Sequence, residues 1–329
     1  MRRSHVAALA TLAVFLLVQL GALALVEPFR SAGYQTVEDP SDPANSLLYL
    51  VAILVATGVM LAAFRFGVDG LIRGLIVLSS AFLAYYVLSV LLPPVVAVGG
   101  VNGFAVAAAL ALSGALVVYP EWYVIDAVGI VIGMGAAALF GISFGLLPAV
   151  LLLSVLAVYD AVSVYGTEHM LTLASGVMDL KIPVVLVIPL TRGYSFLDEE
   201  DGGEQSAGGD GAGSESRDGD AREGPAPADR DAFFIGLGDA VMPTIIVASA
   251  AFFLETPSLG VPGLALTLPA LTAMLGTLAG LLVLVWLVMK GRAHAGLPLL
   301  NGGAIGGYLV GAAFSGVSVV RALGLTPYL

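Results

Sequence analysis

Residues 146–165 read LLPAVLLLSVLAVYDAVSVY, a run with a single charge, Asp160. A helix of about twenty apolar residues crosses the hydrocarbon core of a bilayer, so this stretch reads as a membrane span with a carboxyl inside it. Residues 232–254, AFFIGLGDAVMPTIIVASAAFFL, read the same way and carry Asp239. A charged side chain at such depth costs about 3 kcal/mol on insertion scales and more on others, so intramembrane carboxyls are functional candidates by default. The reading of the whole chain turns on whether it brings these two together.

Composition agrees with a membrane setting. Of 329 residues, 59% are hydrophobic and 11% charged, and the mean hydropathy is +0.99. A soluble domain of this length has no use for so much apolar surface. The chain has no cysteine, which excludes disulfides and thiolate metal sites. The net charge of −11 is local: residues 198–231 hold twelve acids and three arginines, net −9, so the apolar remainder is close to neutral. Nothing in that pattern points to nucleic acid.

Taken in order, Arg2 and Arg3 lead into an apolar run over 6–26. A signal peptide competes there, since Ala22-Leu23-Ala24 resembles a cleavage site, but the apolar core is too long for one and a retained helix is expected. Further spans are expected over 46–64, 74–92, 98–118, 122–141 and 146–165, with Pro93-Pro94 and Pro120-Glu121 closing the third and fourth. Gly166 to Lys181 reads as a surface segment. Ile182–Leu190 is apolar but too short to span and holds Pro183 and Pro189, so it is expected at the interface or re-entrant. Residues 198–231 are acidic and rich in Gly and Ser, a disordered linker. Spans seven, eight and nine are expected over 232–254, 267–289 and 299–320. The predicted fold is an all-α polytopic membrane protein of nine transmembrane helices. Its membrane domain has two parts, 1–197 and 232–329, joined by the linker at 198–231.

Lysine and arginine set the orientation. With nine spans and the N-terminus inside, inner segments carry eleven of these residues and outer segments only Arg30 and Arg321. The expected topology is therefore N-terminus cytoplasmic and C-terminus outside. Asp160 then lies about 8–9 Å from the inner end of span six, and Asp239 about 10–11 Å from the inner start of span seven, at 1.5 Å per helical residue. Two neighbouring antiparallel helices thus offer one carboxyl each at the same depth.

Two such carboxyls in a low dielectric do not both ionise easily, and they share a proton. The anion can take a proton from water while the acid protonates a carbonyl oxygen. Gly236 and Gly238 flank Leu237 just before Asp239 and loosen the helix there, so that backbone groups can meet an extended strand. Pro298 sits at the mouth of span nine on the same inner face, where a residue without an N–H is tolerated. The stretch Gly296-Leu297-Pro298-Leu299-Leu300 can line a cleft.

These residues resemble the presenilin and signal peptide peptidase family of intramembrane aspartyl proteases, most closely its archaeal presenilin homologues. The family carries Tyr-Asp in its sixth span, Gly-x-Gly-Asp in its seventh and Pro-Ala-Leu at the start of its ninth. Here these match Tyr159-Asp160, Gly236-Leu237-Gly238-Asp239 and Pro298-Leu299-Leu300. The third motif departs in its middle residue. A literal Pro269-Ala270-Leu271 opens span eight at the wrong end and reads as a decoy. The resemblance implies Asp160 and Asp239 as catalytic, with Tyr159, Gly236, Leu237, Gly238, Pro298, Leu299 and Leu300 meeting the substrate. It implies no metal and no organic cofactor. Partners are transmembrane segments of membrane-protein substrates and the lipid bilayer, in a multi-pass protein of the cell membrane, with a homo-oligomer open. A substrate helix must unwind to be cut, and β-pairing with the enzyme satisfies the freed backbone groups.

Rival readings stand beside this one. A proton- or ion-coupled transporter also uses intramembrane carboxylates, and Asp126 in span five adds a third, though near its helix end a structural role is expected. Gly141-Ile142-Ser143-Phe144-Gly145 matches the serine-nucleophile pattern, but none of His5, His169 and His294 is placed to serve it as a base. A purely structural reading makes both aspartates interhelical hydrogen-bond partners.

Overall fold

The computed structural model describes residues 2–166, 185–189, 194–195, 232–288, 290 and 294–329. The surface segment expected after Gly166, the acidic linker and His169 lie outside them. Six helices precede that region: α1 Arg2–Ser31, α2 Ala44–Phe66, α3 Asp69–Leu91, α4 Gly103–Val118, α5 Trp122–Ser143 and α6 Leu146–Gly166. Three more follow: α7 Leu237–Phe253, α8 Leu268–Val288 and α9 Leu297–Phe314, before a four-residue α10, Val319–Ala322. Seven of these helices are long and apolar enough to cross a membrane; α4 and α7, with 16 and 17 residues, are apolar but shorter.

The two short helices are short for local reasons. Span four was expected from residue 98, yet Ala97–Val98 (β1) and Val101–Asn102 (β2) form a hairpin. Gly99 and Gly100 both have positive φ, 58° and 84°, as a two-residue hairpin turn of mirror-image type requires. Asn102 then caps α4, its side chain accepting from the Ala105 N–H at 3.3 Å. Span seven was expected from 232, but Ala232–Gly236 is a strand, β4, paired antiparallel with β3, Val185–Pro189. The run expected at the interface or re-entrant is thus in part a strand, and the architecture is not purely helical.

Span nine was expected to reach residue 320. It stops at Phe314 because Gly316, at φ 73°, takes the left-handed turn. The Gly316 N–H donates to Ala313 O and the Val317 N–H to Ala312 O, both at 3.0 Å, a Schellman end. The chain then folds back, and the buried Tyr308 hydroxyl donates to Ala322 O at 2.6 Å.

The core is built around α1, α5 and α7. Phe15, Val18, Ala22, Leu25 and Phe29 of α1 are buried against them, together with nearly one whole face of α7 from Ala240 to Ala250. Small residues let these helices close in: a Cβ on Gly141 of α5 would run into Ala248 of α7. Helices α8 and α9 meet along Gly276 and Gly280 on one side and Gly303 and Gly307 on the other, backbone against backbone, which in lipid replaces hydrophobic drive with close van der Waals contact. By contrast only 6% of the α2 span is buried; Tyr49, Leu50 and Ile53 pack on the core, and Leu47, Leu48, Val51, Leu54 and Val55 are left for lipid.

Candidate active site

The start of α9 gathers the site. A helix leaves its first N–H groups without intrahelical partners, and here they can be accounted for one by one. Leu297 N–H donates to Asp160 Oδ2 at 2.9 Å. Pro298 has no N–H. Leu299 and Leu300 N–H both donate to Gly296 O, at 3.2 and 3.1 Å. The backbone of Gly296 also hydrogen-bonds the Asp160 carboxyl. Asp160, buried near the end of α6, therefore joins that helix to the start of α9.

Asp239 comes to the same place from α7. It occupies the first turn of the helix, where a carboxylate is favoured by the helix dipole. Its side chain turns back toward Gly236: a Cβ built there would lie 3.3 Å from Asp239 Oδ2, tighter than side chains ordinarily pack. From the other side, a Cβ on Gly296 would sit 3.9 Å from Asp239 Oδ1. Gly296 is thus flanked by both carboxyls. Pro243 adds a local feature, since its missing N–H leaves the Asp239 carbonyl without its helical donor.

The other sequence-predicted residues divide. Gly236 ends β4 and caps α7, and Gly238 is exposed with open space where a side chain would go. Leu237 turns into the core, its Cδ1 only 3.0 Å from where a Cβ on Gly133 would stand. Leu300 is fully buried among Phe15, Val18, Ala240 and Leu281. The side chains of Leu237 and Leu300 are core, which leaves only their backbone to face a cleft. Pro298 and Leu299 are partly exposed, and the Leu299 carbonyl packs on Gly280. Tyr159 points outward at 42% exposure. Gly296 and Leu297 were read only as part of a lining stretch; their contact with both carboxyls depends on a meeting of distant segments that no local pattern announces.

The competing motifs have structural partners. Ser143 is fully buried and bonded to Thr36, accepting from its N–H at 3.0 Å and sharing a 2.8 Å hydroxyl contact. Pro269 lies at the far end of the α8–α9 pair, against Gly311, away from both aspartates. Asp126 accepts from the Val187 N–H of β3 at 2.7 Å, the structural role expected of it. Among the described residues no three metal-ligating side chains cluster.

Asp160 is buried and Asp239 partly so, and both carboxyls reach the start of α9 inside a bundle of apolar helices. The profile of the family described as signal-peptide peptidase, presenilin aspartyl protease matches residues 12–317. Two solved structures of a presenilin family intramembrane aspartate protease are similar. The one in space group C222 is 33% identical with a TM-score of 0.64, covering 93% of this chain and 99% of its own. The one in P2 is 34% identical with a TM-score of 0.60, covering 93% and 97%. No curated protein sequence matched. The chain belongs to the signal-peptide peptidase and presenilin family of aspartyl proteases. It is a multi-span membrane protein and an aspartic endopeptidase that acts on membrane-protein substrates within the bilayer; the transporter reading is not favoured.

Proposed function

We propose that Asp160 and Asp239 are the catalytic pair, sharing one proton across a hydrolytic water. The anionic carboxyl takes a proton from the water as its oxygen adds to the scissile carbonyl carbon, while the protonated carboxyl gives its proton to the carbonyl oxygen. The tetrahedral diol then collapses: the C–N bond breaks, the nitrogen gains a proton, and the pair returns to one shared proton. The convergence of both carboxyls on Gly296 carries this reading.

The substrate is a transmembrane segment that unwinds near the site. Its extended backbone pairs along β4, with Gly236, Leu237 and Gly238 offering backbone groups and Pro298, Leu299 and Leu300 lying opposite. Tyr159 stands beside the pair in sequence and faces outward, so its contact is with a substrate arriving from lipid. The enzyme needs no metal or organic cofactor and no nucleic acid. It sits in the cell membrane with nine spans, N-terminus cytoplasmic and C-terminus outside, in two membrane parts, 1–197 and 232–329, around an acidic cytoplasmic linker at 198–231. A homo-oligomer is compatible with this arrangement.

The test is cleavage of a reconstituted single-span substrate by wild type, Asp160→Asn and Asp239→Asn across pH. Asparagine keeps the size and the acceptor but cannot share a proton. Wild type should cut within the span with a bell-shaped pH profile, since the pair needs one proton, and each folded variant should lose cutting by at least about a thousandfold. Residual cutting by both variants at the wild-type rate would place the chemistry elsewhere.

A further inference from the structure

The β3–β4 register fixes which way each backbone group points. The pairs are Val185↔Gly236, Leu186↔Ile235, Val187↔Phe234, Ile188↔Phe233 and Pro189↔Ala232. In an antiparallel ladder, pairs that exchange hydrogen bonds alternate with pairs whose N–H and C=O turn outward. Val187 gives its N–H to Asp126 at 2.7 Å, so Val187↔Phe234 is an outward pair. By the same alternation Val185↔Gly236 and Pro189↔Ala232 are outward too. Pro189 has no N–H to give, and it falls at a position where the ladder asks for none.

We propose that Asp126 is a positioning residue for proteolysis. Its carboxyl group caps the outer side of β3 and fixes the strand pair against α5, so that an added substrate strand can join the sheet only along β4, the strand that ends three residues before Asp239. This rests on the β-pairing reading above. A second bond shows the same helix end holding the same segment: the Ser195 hydroxyl donates to Glu121 Oε1 at 2.6 Å, while Glu121 Oε2 accepts the Trp122 N–H at 3.3 Å. Leu186 and Val187 are buried in the cluster that holds Val128 and Ile132 of α5 and Leu25 and Phe29 of α1. With packing already supplied by these side chains, what Asp126 adds is register.

The test uses full-length Asp126→Ala and Asp126→Asn in vesicles with the single-span substrate, reading cleavage positions by mass spectrometry, kcat and KM, and the pH profile. Asp160→Asn runs alongside, so that persistent cutting there reports failure of the dyad reading and not of this one. Cut positions do not depend on how much enzyme is folded. Expected for Asp126→Ala are a spread of cuts over neighbouring bonds and a rise in KM of about tenfold or more, with an unchanged pH profile. Asp126→Asn, which keeps an acceptor oxygen, should restore the wild-type cut positions. The proposal is overturned if Asp126→Ala keeps the wild-type positions and KM, if the pH profile moves, if Asp126→Asn behaves like Asp126→Ala, or if Asp126→Ala yields no folded enzyme at all.

Discussion

At the scale of single residues, a polar group in this interior is explained by its partner. Ser143 sits in a Gly-x-Ser-x-Gly pattern, yet both of its contacts go to Thr36, at the C-terminal end of α5. Ser143→Ala should leave cleavage unchanged and lower stability by about 1–2 kcal/mol, the cost of losing buried hydrogen bonds; thermal unfolding and the cleavage assay on one preparation check both. A fall in kcat would instead give the serine a chemical role. The aspartates were legible in sequence because a carboxyl inside a long apolar run stands out without any knowledge of its neighbours. Leu297 was not legible as a partner, because any residue but proline supplies the same backbone N–H and only the placement of α9 aims it at Asp160.

At the scale of elements, adjacent glycines separate packing from propensity. Gly303 faces the Gly276 carbonyl with no room for a Cβ, while Gly302, one residue earlier, has nothing within 4 Å. Gly303→Ala should push α9 off α8 and destabilise by about 1–3 kcal/mol through overpacking. Cleavage should fall with it, since the first turn of α9 holds Asp160. Gly302→Ala should gain up to about 1 kcal/mol from helix propensity. Thermal unfolding of the two variants gives opposite signs on this account; equal effects would mean that the α8–α9 contact is looser than its geometry. Helix existence was readable from apolar runs. The β3–β4 pair was not, because a five-residue apolar run fits a strand, a buried helix turn or an interfacial segment equally well.

At the scale of the whole molecule, the described residues hold seven long apolar helices and two shorter ones, arranged so that the shorter α7 begins at the site. Its missing turn is the strand β4, which brings Asp239 to the first turn of a helix instead of the middle of one. The depth argument from helical rise therefore applies to Asp160 but not to residues 232–236, where the chain is extended. The expected orientation can be measured directly, since a chain without cysteine accepts single cysteines cleanly. In oriented vesicles Ser4→Cys should label only from the cytoplasmic side and Leu329→Cys only from the other. Labelling of both from one side would mean an even number of spans and would break the positive-inside assignment.

The membrane class, the two carboxyls and the three motifs that resemble one protease family are all legible in the amino-acid order alone. Each is local: hydrophobic length and the cost of a buried charge can be read within twenty residues. It is the packing of distant segments that turns Leu237 and Leu300 inward, sets Gly296 between the carboxyls and bonds Asp126 to a strand sixty-one residues away. Those facts depend on which distant backbone groups meet, and in an interior without water every N–H must find an acceptor that local pattern does not specify.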